Sequence, residues 1–183
     1  MSSNTYRRRL PYGVLFTAEQ ETKEARPPNG YVFLCNGRTE RECLEKNLFG
    51  SPKSEWNRVS QVKRGDILFL LNYRTNRLHG IFEAISDGMM DAEPYAFDGY
   101  FPAQVRVRRK MRCPSLDETA LLPLIKRGWI KVSGRGILLF PPRLGPKFID
   151  ELWRAFLEVP LAPRAKMGLV GYKAKDGHIT KSY

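Results

Sequence analysis

The residues of this chain best placed to act together chemically are its arginines and lysines, which fall in three clusters. Arg7-Arg8-Arg9 lie near the start, Arg106, Arg108, Arg109, Lys110 and Arg112 form a second group, and Lys126, Arg127, Lys131 and Arg135 a third. With 31 Lys+Arg against 19 Asp+Glu the formal net charge is +12. Such a surface attracts phosphates and repels its own kind. A generally basic protein with no anionic ligand would show the same surplus, but the clustering favours a polyanionic partner. Arg106, Arg108, Arg109 and Lys110, with Arg38 and Lys53 near turns, are expected to hold phosphates without reading sequence. Trp56 and Tyr73, set in polar loops, are candidates for secondary stacking.

Nucleophilic and metal chemistry find no matching constellation. His79 and His178 are far apart, and Cys35, Cys43 and Cys113 include no C-x-x-C pair, so no metal site is expected and the cysteines read as reduced, buried thiols. There is no G-x-S-x-G and no glycine-rich phosphate loop. Asp117 and Glu118 fit the start of a helix better than acid–base work. The expectation is a binding protein with no cofactor, not an enzyme. No apolar run approaches the roughly 18–20 residues that span a bilayer, and the basic start lacks a hydrophobic signal stretch. A cytoplasmic location with no membrane partner is therefore expected.

The elements that must position these residues follow from pattern. Residues 1–28 are rich in charge and turn formers and read as a basic arm. Tyr31-Val-Phe-Leu-Cys35 predicts a strand buried on both faces, and Thr39-x-x-Glu42 a capping box for a helix carrying Leu44 and Leu48. After a turn at 62–66, Ile67-Leu-Phe-Leu-Leu71 and residues 78–85 predict a hairpin. Val105 and Val107 alternate with Arg106 and Arg108, which puts the valines on the core face of a strand. The sum is an α+β fold, a strongly bent and mostly antiparallel sheet with a helix against it. Beyond it, Ser115-x-x-Glu118 predicts a second capping box, Gly128 a helix stop, and residues 136–140 a short strand. Ile149, Leu152, Trp153, Phe156 and Leu157 form the apolar stripe of an amphipathic helix, read as packing. Residues 29–120 are thus expected to form the main domain, 121–163 a helical extension packing on it, and 164–183 a basic tail or linker.

Four blocks carry a family resemblance: Phe49-Gly50, Leu68-Phe69-Leu70, Pro102-Ala-Gln-Val105 and Pro114-Ser-Leu-Asp-Glu118. In that order they resemble the motifs of the Development and Cell Death domain, a relative of the PUA, EVE and YTH folds, with Ser51 where the first motif has Leu. The resemblance implies a PUA-like bent antiparallel β pseudo-barrel with flanking helices and a helical C-terminal extension. Most of the motif residues are apolar, Gly or Pro, so their first meaning is fold determination.

A more distant likeness to YTH domains implies a base pocket. Those domains hold a methylated adenine between aromatic side chains, with hydrogen bonds from an Asn and from backbone near a turn. Asn36, Phe49-Gly50-Ser51, Tyr95 and Phe97 stand in the corresponding order. The family has Trp where this chain has Phe49 and Phe97. The implied partner is single-stranded RNA or a flipped, modified base in DNA, held by stacking and by an amide reading one edge. The same residues also have a packing reading: Phe49 and Phe97 as core aromatics, Asn36 as a turn into the first helix. Two other functions stay open. Asp176-Gly-His-Ile-Thr-Lys-Ser182 resembles the opening of a restriction-type nuclease domain, which implies a targeting module fused to a catalytic one. The Development and Cell Death family also implies a protein-interaction module with a protein partner.

Overall fold

The computed structural model describes residues 27–160. In chain order these form β1 (Gly30–Cys35), α1 (Gly37–Lys46), β2 (Leu48–Ser51), α2 (Trp56–Val59), β3 (Ile67–Asn72), β4 (Arg77–Ala84), β5 (Met89–Met90), β6 (Ala103–Arg109), α3 (Glu118–Lys126), β7 (Lys131–Val132), β8 (Leu138–Leu139) and α4 (Pro146–Glu158). The main sheet has the order β1-β3-β4-β6-β2, with β5 also on β6, and it bends until its two end strands, β1 and β2, approach one another. The fold is the expected α+β pseudo-barrel. Every pairing is antiparallel except that of β1 with β3. There the chain leaves β1, passes through α1, β2 and α2, and returns in the same direction, the long crossover that parallel pairing requires.

Period-two alternation divides the buried side chains between two cores. Tyr31, Phe33, Leu68, Leu70, Phe82 and Val105 point into the barrel, where Phe49 joins them. Val32, Phe69, Leu71 and Ile81 point outward and meet α3 and α4. Covering both faces of the sheet is why β3 can be apolar at nearly every position. In α4 the stripe Ile149, Leu152, Trp153 and Phe156 is buried as its spacing required, while Leu157 is exposed. Phe156 lies parallel to Phe69 with ring centroids 6.0 Å apart.

Both predicted capping boxes shift. The cap of α1 is Asn36, whose Oδ1 accepts from the N–H groups of Arg38 and Thr39, at 2.9 and 3.1 Å, while the Thr39 hydroxyl accepts from the Asn36 N–H. Thr39 thus serves as the third helical residue and not as the cap. This releases Glu42, whose carboxylate accepts the N–H of Phe97 at 2.9 Å. At α3 the cap is Asp117, accepting from Ala120 N–H at 3.0 Å. Gly128, at φ +75°, follows the end of α3 as expected.

Candidate functional site

The site lies at the seam of the barrel, where the end strands leave backbone groups unpaired with each other. Ile67 N–H donates to Asn29 O and Tyr73 N–H to Cys35 O, so the odd-numbered residues of β1 face β3. Strand alternation then turns the N–H and C=O of Val32 and Leu34 to the opposite edge. On β2, Val107 N–H donates to Asn47 O, which by the same alternation turns the backbone of Leu48 and Gly50 away from β6. Between the two edges opens a cleft of about 500 Å³.

Arg58 closes one end of the seam. Its guanidinium donates to Val32 O of β1 and to Ser51 Oγ of β2, both at 3.3 Å, and to Glu55 at 2.9 Å. It also lies 5.1 Å above the Phe33 ring. Glu55 is thereby neutralised within the cleft wall. The remaining lining is largely apolar: Leu34, 55% exposed, with Tyr73, Phe101 and residues 137–142. Asn36 and Thr39 add polar groups from the start of α1. Capping occupies the Asn36 oxygen and leaves its Nδ2 with no hydrogen bond among the described residues. An unpaired amide donor and an unpaired strand edge therefore sit beside aromatic faces, a combination suited to a flat heteroaromatic ligand.

The residues singled out from the sequence divide by the face they occupy. Asn36, Gly50 and Ser51 line the cleft, and so does Tyr73. Phe49 does not: it is fully buried inside the barrel, 5.7 Å from Phe33 and 5.0 Å from Phe82 between ring centroids. Phe97 is also a packing residue, lying beneath Gly50 and edge-on to Phe101 at 5.7 Å. Tyr95 is 95% exposed and outside the cleft. Trp56 is half-buried against the inner core. The aromatic ring that does reach the cleft from this part of the chain is Phe101, four residues beyond Phe97. Its signal was Pro102, which immediately precedes β6 and restricts the backbone of the residue before it.

Most of the expected phosphate contacts already hold protein acids. Arg106 pairs with Glu93 at 2.9 Å and donates to Ala92 O, while Arg108 and Lys110 share Glu83 at 3.2 and 3.1 Å. Burial works against the Glu83 carboxylate, but the Lys110 and Arg108 cations hold it below the usual carboxylate range. Arg109 lies 4.8 Å over the Phe82 ring, and Arg38 pairs with Asp98. Lys53 is exposed and makes no ion pair among the described residues. Burial pushes the Cys43 thiol up to about 12 and the Cys35 thiol still further from ionisation, so neither acts as a nucleophile. Among the described residues no three His, Cys, Asp or Glu side chains gather to hold a metal, and no helix is long and apolar enough to cross a membrane. Residues 176–182 and Arg7-Arg8-Arg9 lie outside the described residues.

The family described as Development and cell death domain matches residues 29–134. The chain belongs to that family. It is similar to the B2 protein of Daucus carota, 40% identical over 103 residues, which are 52% of this chain and 50% of that one. It is also similar to the DCD domain-containing protein NRP-B of Glycine max, at 41% over 103 residues, 52% and 31% of the two chains. The DCD domain-containing protein NRP of Arabidopsis thaliana matches at 40% over 113 residues, 56% and 32%. The chain thus spans half or less of the length of these relatives. Its fold is similar to that of the YTH domain of the Zygosaccharomyces rouxii MRB1 protein, solved in complex with N6-methyladenosine RNA, with TM-score 0.54 and 12% identity over 73% of this chain and 90% of that one. The Pho92 YTH domain, solved in complex with m6A, aligns with TM-score 0.52 and 13% identity over 70% and 83%.

Proposed function

We propose that this Development and cell death domain protein is a nucleic-acid-binding module that takes an unpaired base, of single-stranded RNA or a flipped and modified nucleotide, into the seam cleft. One observation carries the reading: the free amide of Asn36 and the outward edge of Leu34 meet the rings of Tyr73 and Phe101 in one cleft. Stacking contributes about 1–3 kcal/mol per base, and a donor with a backbone edge selects among bases. The net charge of +12 supports a polyanionic partner, and two solved proteins that share the fold were crystallised with RNA or with m6A.

The test is titration of the full chain with short single-stranded RNAs carrying adenine or N6-methyladenine, followed by fluorescence anisotropy. Asn36→Ser keeps an oxygen for the helix cap and removes the amide donor. It is expected to weaken binding by up to about tenfold, the scale of one hydrogen bond, with an unchanged melting temperature. Equal affinity of the variant and the wild type would remove Asn36 from the site. A second reading has its own support, since the outward N–H and C=O of Leu34, which make no hydrogen bond among the described residues, are also groups to which an extended peptide can add as a strand. Peptide capture by a chain with no RNA affinity would favour that protein-interaction module.

A further inference from the structure

The cleft has a second wall that lies beyond the family match. Residues 137–142 line it, whereas the match ends at residue 134. This segment is anchored at both ends. On one side Leu138 is buried in the outer core, its N–H reaches Asn76 Oδ1 at 3.3 Å, and the same Asn76 donates to Gly136 O at 2.6 Å. On the other, Leu144 and Gly30 exchange two backbone hydrogen bonds of 2.8 Å. Between the anchors Phe140 stacks on Phe148 with centroids 6.2 Å apart. Leu139 stays 47% exposed and Pro141 and Pro142 are open. An apolar strap held at both ends and facing a cleft is a contact surface built in place.

The rim of the same cleft carries cations that no acid among the described residues neutralises. Lys53 stands between the lining residues Pro52 and Ser54, Arg74 follows the lining residue Tyr73, and Arg143 follows the lining residue Pro142. All three are exposed, and none makes an ion pair among the described residues. Each sits on a short constrained piece of backbone. Lys53 begins a 3-10 turn after Pro52, Arg74 N–H donates to Asn72 Oδ1 at 3.0 Å, and Arg143 precedes the Leu144 anchor. The Arg74 guanidinium lies 5.6 Å over the Tyr73 ring, which leaves its N–H edges free for an anion. The acid that lines the cleft, Glu55, is already held by Arg58. Arg106, Arg108 and Lys110 are each paired with a carboxylate, whereas Lys53, Arg74 and Arg143 combine freedom from ion pairs among the described residues with a place beside residues that line the cleft.

We infer that Lys53, Arg74 and Arg143 hold the backbone phosphates on either side of a base inserted in the cleft, and that the strap at residues 137–142 is the wall that sets which base fits. The ligand class is a single-stranded polynucleotide. This inference rests on the function proposed above and replaces the β6 arginines as its phosphate contacts. Leu139 is the specificity-determining residue of the wall, because it is the exposed apolar side chain between buried Leu138 and stacked Phe140.

Salt titration of the full chain against a short single-stranded RNA tests it. Each phosphate contact contributes a slope of about −0.7 in log K against log salt, so the triple variant Lys53→Ala, Arg74→Ala, Arg143→Ala should flatten the slope by about 2. The double variant Arg106→Ala, Arg108→Ala should leave it as in the wild type. Leu139→Ala should weaken binding at every salt concentration and keep the slope. The triple variant changes only exposed side chains without ion pairs, and an unchanged melting temperature would show that it folds. A slope flattened by the β6 double variant and not by the triple variant would overturn this inference while leaving the base cleft standing. A wild-type chain with no RNA affinity would overturn both.

Discussion

Gly50 stands where β2 passes over two aromatic rings, and a Cβ there would lie 2.7 Å from Phe97 Cε2 and 2.9 Å from Phe101 Cβ. The close approach explains why Phe97, expected as a cage ring, is buried as a packing residue beneath the strand. Asn36 was legible beside the cleft because it follows the end of β1, and Gly50 and Ser51 because they stand at the end of the short strand β2. Phe49 and Phe97 were not, because an apolar ring beside a glycine fits a core and a cage equally until the strand phase is known. His79 escaped sequence reading altogether as a charge-sensitive group. Its Nε2 is buried 3.4 Å from Glu40 Oε1 without a hydrogen bond to it. Burial lowers the His79 pKa from its ordinary 6.5; Glu40 opposes the shift, and Arg109 and Arg77 add to it. The unfolded chain therefore takes up a proton that the folded chain resists as pH falls below 6.5. This contribution to stability is fully present above that pH and is lost progressively below it. The wild-type melting temperature should drop more than that of His79→Gln between about pH 7 and about pH 5.5. Parallel curves for the two proteins would show that His79 does not drive the change.

At the scale of elements, strands and the last helix were readable because their apolar periods were unambiguous. The β3–β4 hairpin, the valine face of β6 and the α4 stripe all occur where the periodicity put them. The parallel pairing of β1 and β3 was not readable, since it depends on the path of the crossover and not on any local pattern. The caps moved because Asn36 and Asp117 compete with Thr39 and Ser115 for the same role, and local spacing does not rank them. The extension from α3 to α4 covers the outer face of the sheet, with Phe156 stacked on Phe69 above Gly80. Phe156→Ala should cost about 3–5 kcal/mol of stability, the scale for emptying a buried aromatic site. Urea unfolding measures it. A loss below about 1 kcal/mol would mean that α4 contributes little to holding the outer core.

For the whole molecule, the cleft unites segments that are distant in sequence: the end of β1, the first turn of α1, β2, the turn after β3, Phe101 and the strap before α4. No local motif announces such a site. What the sequence did show was its chemical setting, a large positive charge and a likeness to base-binding folds, while the structure shows Arg106 and Arg108, expected to hold phosphates, paired with protein carboxylates. The central proposal is a nucleic-acid base held at the barrel seam. Backbone amide resonances of the isotope-labelled chain, followed by NMR during titration with short single-stranded RNA, report where it binds. Saturable shifts should be largest at Leu34, Asn36, Gly50, Ser51 and Leu139, all of which line the cleft. Shifts confined to Arg106, Arg108 and Lys110, or none that saturate, would contradict a base site at the seam.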